Sequence, residues 1–244
     1  MTRTKRFAAF AVAAGAAALL LAPTAMANRE YEVTIENLTA GQPFSPPVAA
    51  VHRGRHTLFD VGQPASVGIR ELAENGNNAP IVAQLTADPF NRVGDFTEAT
   101  EPLVPVGVPG DAMFDQSVTL TLEAPARYKR LSLAGMLICT NDGFTGVDSL
   151  KVPGKVGDIR FRRTAGYDAH TEINTEDYAD IVPPCQGLIG DTSGEMGTGT
   201  SNPALAEGGV IAHQEGIDGT LDDLDAAIHG WTDPVSRVKV KRVG

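Results

Sequence analysis

The chain is 244 residues long and carries a formal net charge of −10. Acidity of that size disfavours nucleic acid and anionic lipid as partners and favours cations. The length suits one large all-β domain as readily as two small ones.

Arg3, Lys5 and Arg6 precede an apolar run from Phe7 to Leu21, and Ala25-Met26-Ala27 supplies the small residues of a cleavage site. Residues 1–27 are therefore expected to be a signal peptide, with 28–244 a single domain. Loss of three basic residues moves the charge from −10 to about −13. The apolar run is about 15 residues, short of the roughly 20 that a spanning helix needs. We expect a secreted protein, periplasmic or extracellular, with no integral membrane segment after cleavage.

From Tyr31 to Leu38, Tyr31, Val33 and Ile35 alternate with Glu32, Thr34 and Glu36, the pattern of a strand with one dry face. Gly41, Pro43, Pro46 and Pro47 then hold an extended loop. Val48–Val51 and Thr57–Val61 are short apolar runs. His52 and His56 between them, with Gly54 and no intervening Glu, read as structural or surface histidines rather than a zinc motif. Ser66–Glu74 is a helix capped by Ser66 and ended by Asn75-Gly76, and Pro80–Leu85 is another helical turn. Pro89–Asp111, rich in Pro and Gly, reads as a loop crossing between sheets.

Phe114, Val118, Leu120 and Leu122 opposite Thr119, Thr121 and Glu123 make the clearest strand, and the nearly unbroken apolar run Arg130–Ile138 a central one. Ile159–Arg163 is a short strand with Phe161 inward. Gly, Thr, Ser and Asn dominate 186–209, a flexible exposed loop. Val210–His213 and Ser236–Val243 close the chain as strands around a helical excursion at Leu221–Ile228. Arg237, Lys239, Lys241 and Arg242 form an exposed strand face. The whole is an all-β antiparallel β-sandwich with one or two short helices and long loops.

Two segments carry candidate chemistry. The apolar strand of SLAGMLICTNDGFTGVDSL runs into a turn containing Asp142, and YDAHTE places Asp168 and Glu172 either side of His170. Carboxylates gathered at a sheet edge repel one another unless a cation sits between them. A hard, oxygen-liking divalent ion fills that role, and outside the cell calcium is the natural choice. The alternative is that these acids are merely solvated. Cys139 and Cys185, an even count in an exported chain, read as one disulfide worth roughly 4 kcal/mol on the chain-entropy estimate; two separate thiols are the alternative.

The stretches YEVTIENLTAGQPFSPPVAAVH, LFDVGQPASVGIRELAENG, LSLAGMLICTNDGFTGVDSL and YDAHTE, in that order over about 29–180, resemble the amino-terminal spondin domain of F-spondin and mindin. VSRVKVKR resembles that family's last strand. The resemblance implies an antiparallel β-sandwich that carries a calcium ion, with Asp142, Asp168 and Glu172 at the positions of its acidic residues. Glu172 stands in place of aspartate and His170 in place of glycine. The animal members are matrix and cell-adhesion proteins that append further modules, so their integrin or glycan recognition does not transfer; a cell-surface or matrix protein or glycan is kept as a candidate partner beside the calcium ion.

The expectation is thus a non-enzymatic, calcium-binding surface, envelope or matrix interaction module. Two alternatives stand beside it. One is a glycoside hydrolase using Asp168 and Glu172 as an acid and base pair; the other is a structural sandwich without metal.

Overall fold

The structure, a computed structural model, describes residues 28–54 and 58–244. The expected signal peptide and His56 lie outside the described residues. In chain order the strands are β1 (Arg29–Asn37), β2 (Val48–His52), β3 (Val93–Glu98), β4 (Ser117–Ala124), β5 (Arg130–Met136), β6 (Gly143–Lys151), β7 (Ile159–Thr164), β8 (Gly166–Asp168), β9 (Ala212–His213) and β10 (Ser236–Arg242). One sheet has the order β4-β1-β10-β7, the other β3-β2-β5-β6-β8-β9. Every pairing is antiparallel.

Alternation decides what lies between the sheets. Tyr31, Val33 and Ile35 of β1, Leu120 and Leu122 of β4, and Val238 and Val240 of β10 turn inward against Ala49, Val51, Leu131 and Leu133. Each fully buried aliphatic side chain contributes about 1.5–3 kcal/mol. The six-stranded sheet is also covered on its other face. Helices α1 (Val67–Asn75), α2 (Ala79–Ala87) and α3 (Pro184–Ile189) pack Ile69, Leu72, Ile81, Leu85 and Leu188 against Val48, Ala50, Met136 and Phe144. That second core explains why β2 and β5 are apolar on both faces: neither face meets water. Ser66 caps α1 through its side chain, accepting the Ile69 N–H, and Gly76 closes it in the left-handed region.

The sandwich forms as expected, and several local readings need correction. Residues 58–61 are loop rather than strand, residue 57 falling outside the described residues. The expected crossing loop contains β3, which pairs with β2 as an edge strand. Phe161 faces outward and is 60 % exposed, because its register partner is Lys239 while Val238 and Val240 face Arg162 and Arg160. The stretch expected to be flexible over 186–209 begins inside α3, and its middle packs onto the site described below. The helical excursion is confined to α4 (Ala226–His229), capped by Asp225.

Candidate metal centre

The β5–β6 turn is built to hold Asp142 rigidly. Thr140 Oγ1 donates to the Leu137 carbonyl at 2.7 Å and accepts the Gly143 N–H at 2.8 Å. Gln42 brackets the turn from outside, its Oε1 accepting the Cys139 N–H and its Nε2 donating to the Cys139 carbonyl. Cys139 and Cys185 form a disulfide with a Cα–Cα distance of 5.1 Å, tying the turn to α3 across 46 residues of sequence. On the chain-entropy estimate a loop of that size adds roughly 4 kcal/mol.

Asp142 is fully buried. Its Oδ2 accepts the Thr171 N–H at 2.6 Å, the Thr171 hydroxyl at 3.1 Å and the Glu172 N–H at 3.1 Å. Its Oδ1 is buried with no partner among the described residues. Burial, followed by the charge of Asp168, pushes the Asp142 carboxyl up to about 7, against the opposing hydrogen bonds from Thr171 and Glu172.

Asp168 ends β8, in register with Gly143 on one side and Ala212 on the other. Its Oδ1 accepts the His170 N–H at 2.7 Å and its Oδ2 the Asn174 side-chain amide at 2.8 Å. The network continues from Asn174 Oδ1 to Gln214 Nε2 at 3.3 Å. Gln214 Oε1 is a second buried acceptor without a partner among the described residues. It lies 2.7 Å from where a Cβ on Gly143 would stand, so only glycine next to Asp142 lets Gln214 approach the turn. Asp168, Asn174 and Gln214 also line a cavity of about 280 Å³.

Glu172 is placed differently. Thr171 turns its hydroxyl to Asp142, and Glu172 turns its carboxylate away, where Oε1 accepts the Asn202 N–H at 2.6 Å. There it meets Glu74, which is bonded by the Ser201 hydroxyl, and Asp180. Burial first, then the charges of Glu74 and Asp180, push Glu172 up to about 7, partly offset by the Asn202 amide. Glu74 and Glu172 line a separate cleft of about 560 Å³. Of the three acids singled out in the sequence, Asp142 and Asp168 are thus brought together, and Glu172 joins them through its backbone N–H.

His170 has φ 50, in the left-handed region where glycine is at ease and a side chain is strained. Its Nδ1 lies 3.3 Å from Asp168 Oδ1, out of line for a hydrogen bond. His52, by contrast, is buried and bonded to Ser132 at 2.9 Å, as a structural histidine.

The donor set suits a hard cation. Calcium takes carboxylate, amide and carbonyl oxygens in flexible geometry, and two buried oxygen acceptors without partners stand here beside an Asp168 carboxylate. Gln214 and Asn174 carry no charge and sit in no acidic run, so nothing in the sequence marks them. Among the described residues, the two groups that place three His, Cys, Asp or Glu ligand atoms within 4.8 Å of one another include neither Asp142 nor Asp168. In the first, Cys139 and Cys185 have spent their sulfurs on each other, leaving only His229. In the second, Asp177, Glu195 and Asp223, the acids are partly or wholly exposed; Asp177 accepts the Ala179 N–H and Asp223 the Tyr178 N–H.

The family model described as Spondin_N matches residues 33–158, just over half of the chain. Cys139 and Asp142 fall inside the matched span; Asp168, Glu172 and Gln214 lie beyond it. Comparison with curated proteins finds no match.

Proposed function

The chain belongs to the Spondin_N family, and from that premise we propose that it is an exported, calcium-binding β-sandwich acting as a non-enzymatic interaction module at a cell surface, envelope or matrix. The observation that carries the reading is Asp142 Oδ1, fully buried, without a hydrogen-bond donor among the described residues and beside the charge of Asp168. An unpaired buried carboxylate oxygen is costly unless a cation compensates it. Asp142, Asp168 and Gln214 would hold the ion, with Asn174 orienting Asp168 and Gln214.

Bound there, calcium would neutralise the two carboxylates and clamp the β5–β6 turn to the segment after β8. Binding to the folded state alone stabilises it by about 2.7 kcal/mol at a hundredfold excess over Kd. Export is supported by the disulfide, which persists in oxidising compartments. Among the described residues no helix is long and apolar enough to cross a membrane.

The hydrolase alternative needs two carboxylates flanking one substrate. Asp168 and Glu172 open onto different cavities, which favours the non-enzymatic reading. Calorimetric titration of chelator-stripped protein with calcium tests the proposal, with a glycoside panel run in parallel. One saturable site and no turnover is expected. Heatless calcium addition would leave the metal-free sandwich, and turnover would bring back the hydrolase.

A further inference from the structure

The net charge conceals a strong local asymmetry. At the end of the sandwich where β1 begins, β6 ends and β7 begins, Arg29, Lys129, Lys151, Lys155 and Arg160 line one cavity of about 370 Å³ together with a single carboxylate, Asp158. None of the five cations forms an ion pair with a described residue. Arg162 lies two residues beyond Arg160 on the same side of β7 and extends the positive field along an edge strand.

The cavity is held by a fixed frame. The connection between β6 and β7 contains Gly154 and Gly157 and is pinned to β10 by Arg242. Its guanidinium donates to the Gly154 carbonyl, its N–H to the Asp158 carbonyl at 3.1 Å, and its carbonyl accepts the Gly157 N–H at 2.8 Å. Arg242 is therefore spent on backbone, while the cavity lysines Lys129, Lys151 and Lys155 have no ion-pair partner among the described residues. On the other flank the Lys129 N–H donates to the His52 carbonyl, and the Lys129 carbonyl accepts the Val152 N–H. Like charges on a preformed frame repel each other until an anion enters, and concave walls concentrate their field.

We propose that this cavity binds an anion carrying clustered phosphate groups, free in solution or displayed as a lipid headgroup. Three of the five cations are lysines, compact point charges suited to phosphate, and the volume suits a phosphorylated ring or glycerophosphate rather than a duplex. Neither face of the proposed calcium site takes part, so the two readings stand or fall separately.

The test uses the purified protein in chelator with inositol hexakisphosphate as the free probe, and cardiolipin-containing against pure phosphatidylcholine vesicles as the lipid arm. Saturable binding in either arm, weakening with salt, identifies the source. The double variant Lys151→Gln/Lys155→Gln should lose affinity at least tenfold. Arg70→Gln/Lys239→Gln, which removes the same charge elsewhere, should stay within about threefold. Because all four are exposed or partly exposed side chains, thermal melts should confirm folded protein, and single Lys155→Gln in the connecting loop provides a milder version. No binding in either arm, or equal loss in both double variants, overturns the proposal.

Discussion

Asp142 and Glu172 are joined through backbone: Asp142 Oδ2 accepts the Glu172 N–H at 3.1 Å while the Glu172 carboxylate faces the opposite way, onto the Asn202 N–H at 2.6 Å. Glu172 thus supports the site without offering it a charge. Its carboxyl is pushed from 4.5 up to about 7 in the folded protein. A raised folded pKa means the native state holds the proton more tightly, so stability present below about 4.5 is lost as pH rises through 7. Glu172→Gln, whose carbonyl still accepts the Asn202 amide, should stabilise the protein at pH 8 by about 1 kcal/mol after allowance for solvent screening. At pH 4 it should change little. Calcium affinity should stay within about threefold. Denaturant curves at the two pH values and a calcium titration check both halves.

Gln214 offers a neutral oxygen to the same centre. Gln214→Leu keeps the bulk and removes the acceptor, and should weaken calcium binding about tenfold, in the range found when a group supporting a metal is removed. Stability in chelator should change by no more than about 1 kcal/mol, since an unpartnered carbonyl and one long hydrogen bond are lost together. Calorimetry in calcium and a melt in chelator separate the two effects.

His170 sits at φ 50 where the family resemblance places glycine. His170→Gly relieves the left-handed strain, worth about 1 kcal/mol, and removes an imidazole whose Nδ1 has no hydrogen bond to a described residue and approaches Asp168 Oδ1 only at 3.3 Å. We expect a modest rise in unfolding free energy with calcium affinity held within about threefold. A loss beyond tenfold would make the ring a ligand.

The parts of the fold legible in the sequence are those where one local rule dominates. Tyr31, Val33 and Ile35 alternate cleanly because the other face of β1 meets water, and Ser66 with Gly76 marks both ends of α1. Phe161 misled because parity in an edge strand is set by its partner, β10, and not by its own aromatic residue. β3 was hidden because none of its residues is fully buried, which leaves its pattern flat. At the site, Asp142 and Asp168 were visible as acids beside a strand end. The Glu172 carboxylate turns to the Asn202 N–H, 30 residues further on, and Gln214 arrives from 46 residues beyond Asp168, so neither has a local signature.

The most direct test is the melting temperature of wild type and Asp142→Asn, each in calcium and in chelator. The asparagine keeps the shape and an acceptor for Thr171 while removing the buried charge. Wild type should melt higher in calcium than in chelator. Asp142→Asn should show no calcium shift and, in chelator, should melt at or above wild type, because an uncompensated buried carboxylate has gone. Equal calcium shifts in the two proteins, or none in wild type, would contradict a cation held by Asp142.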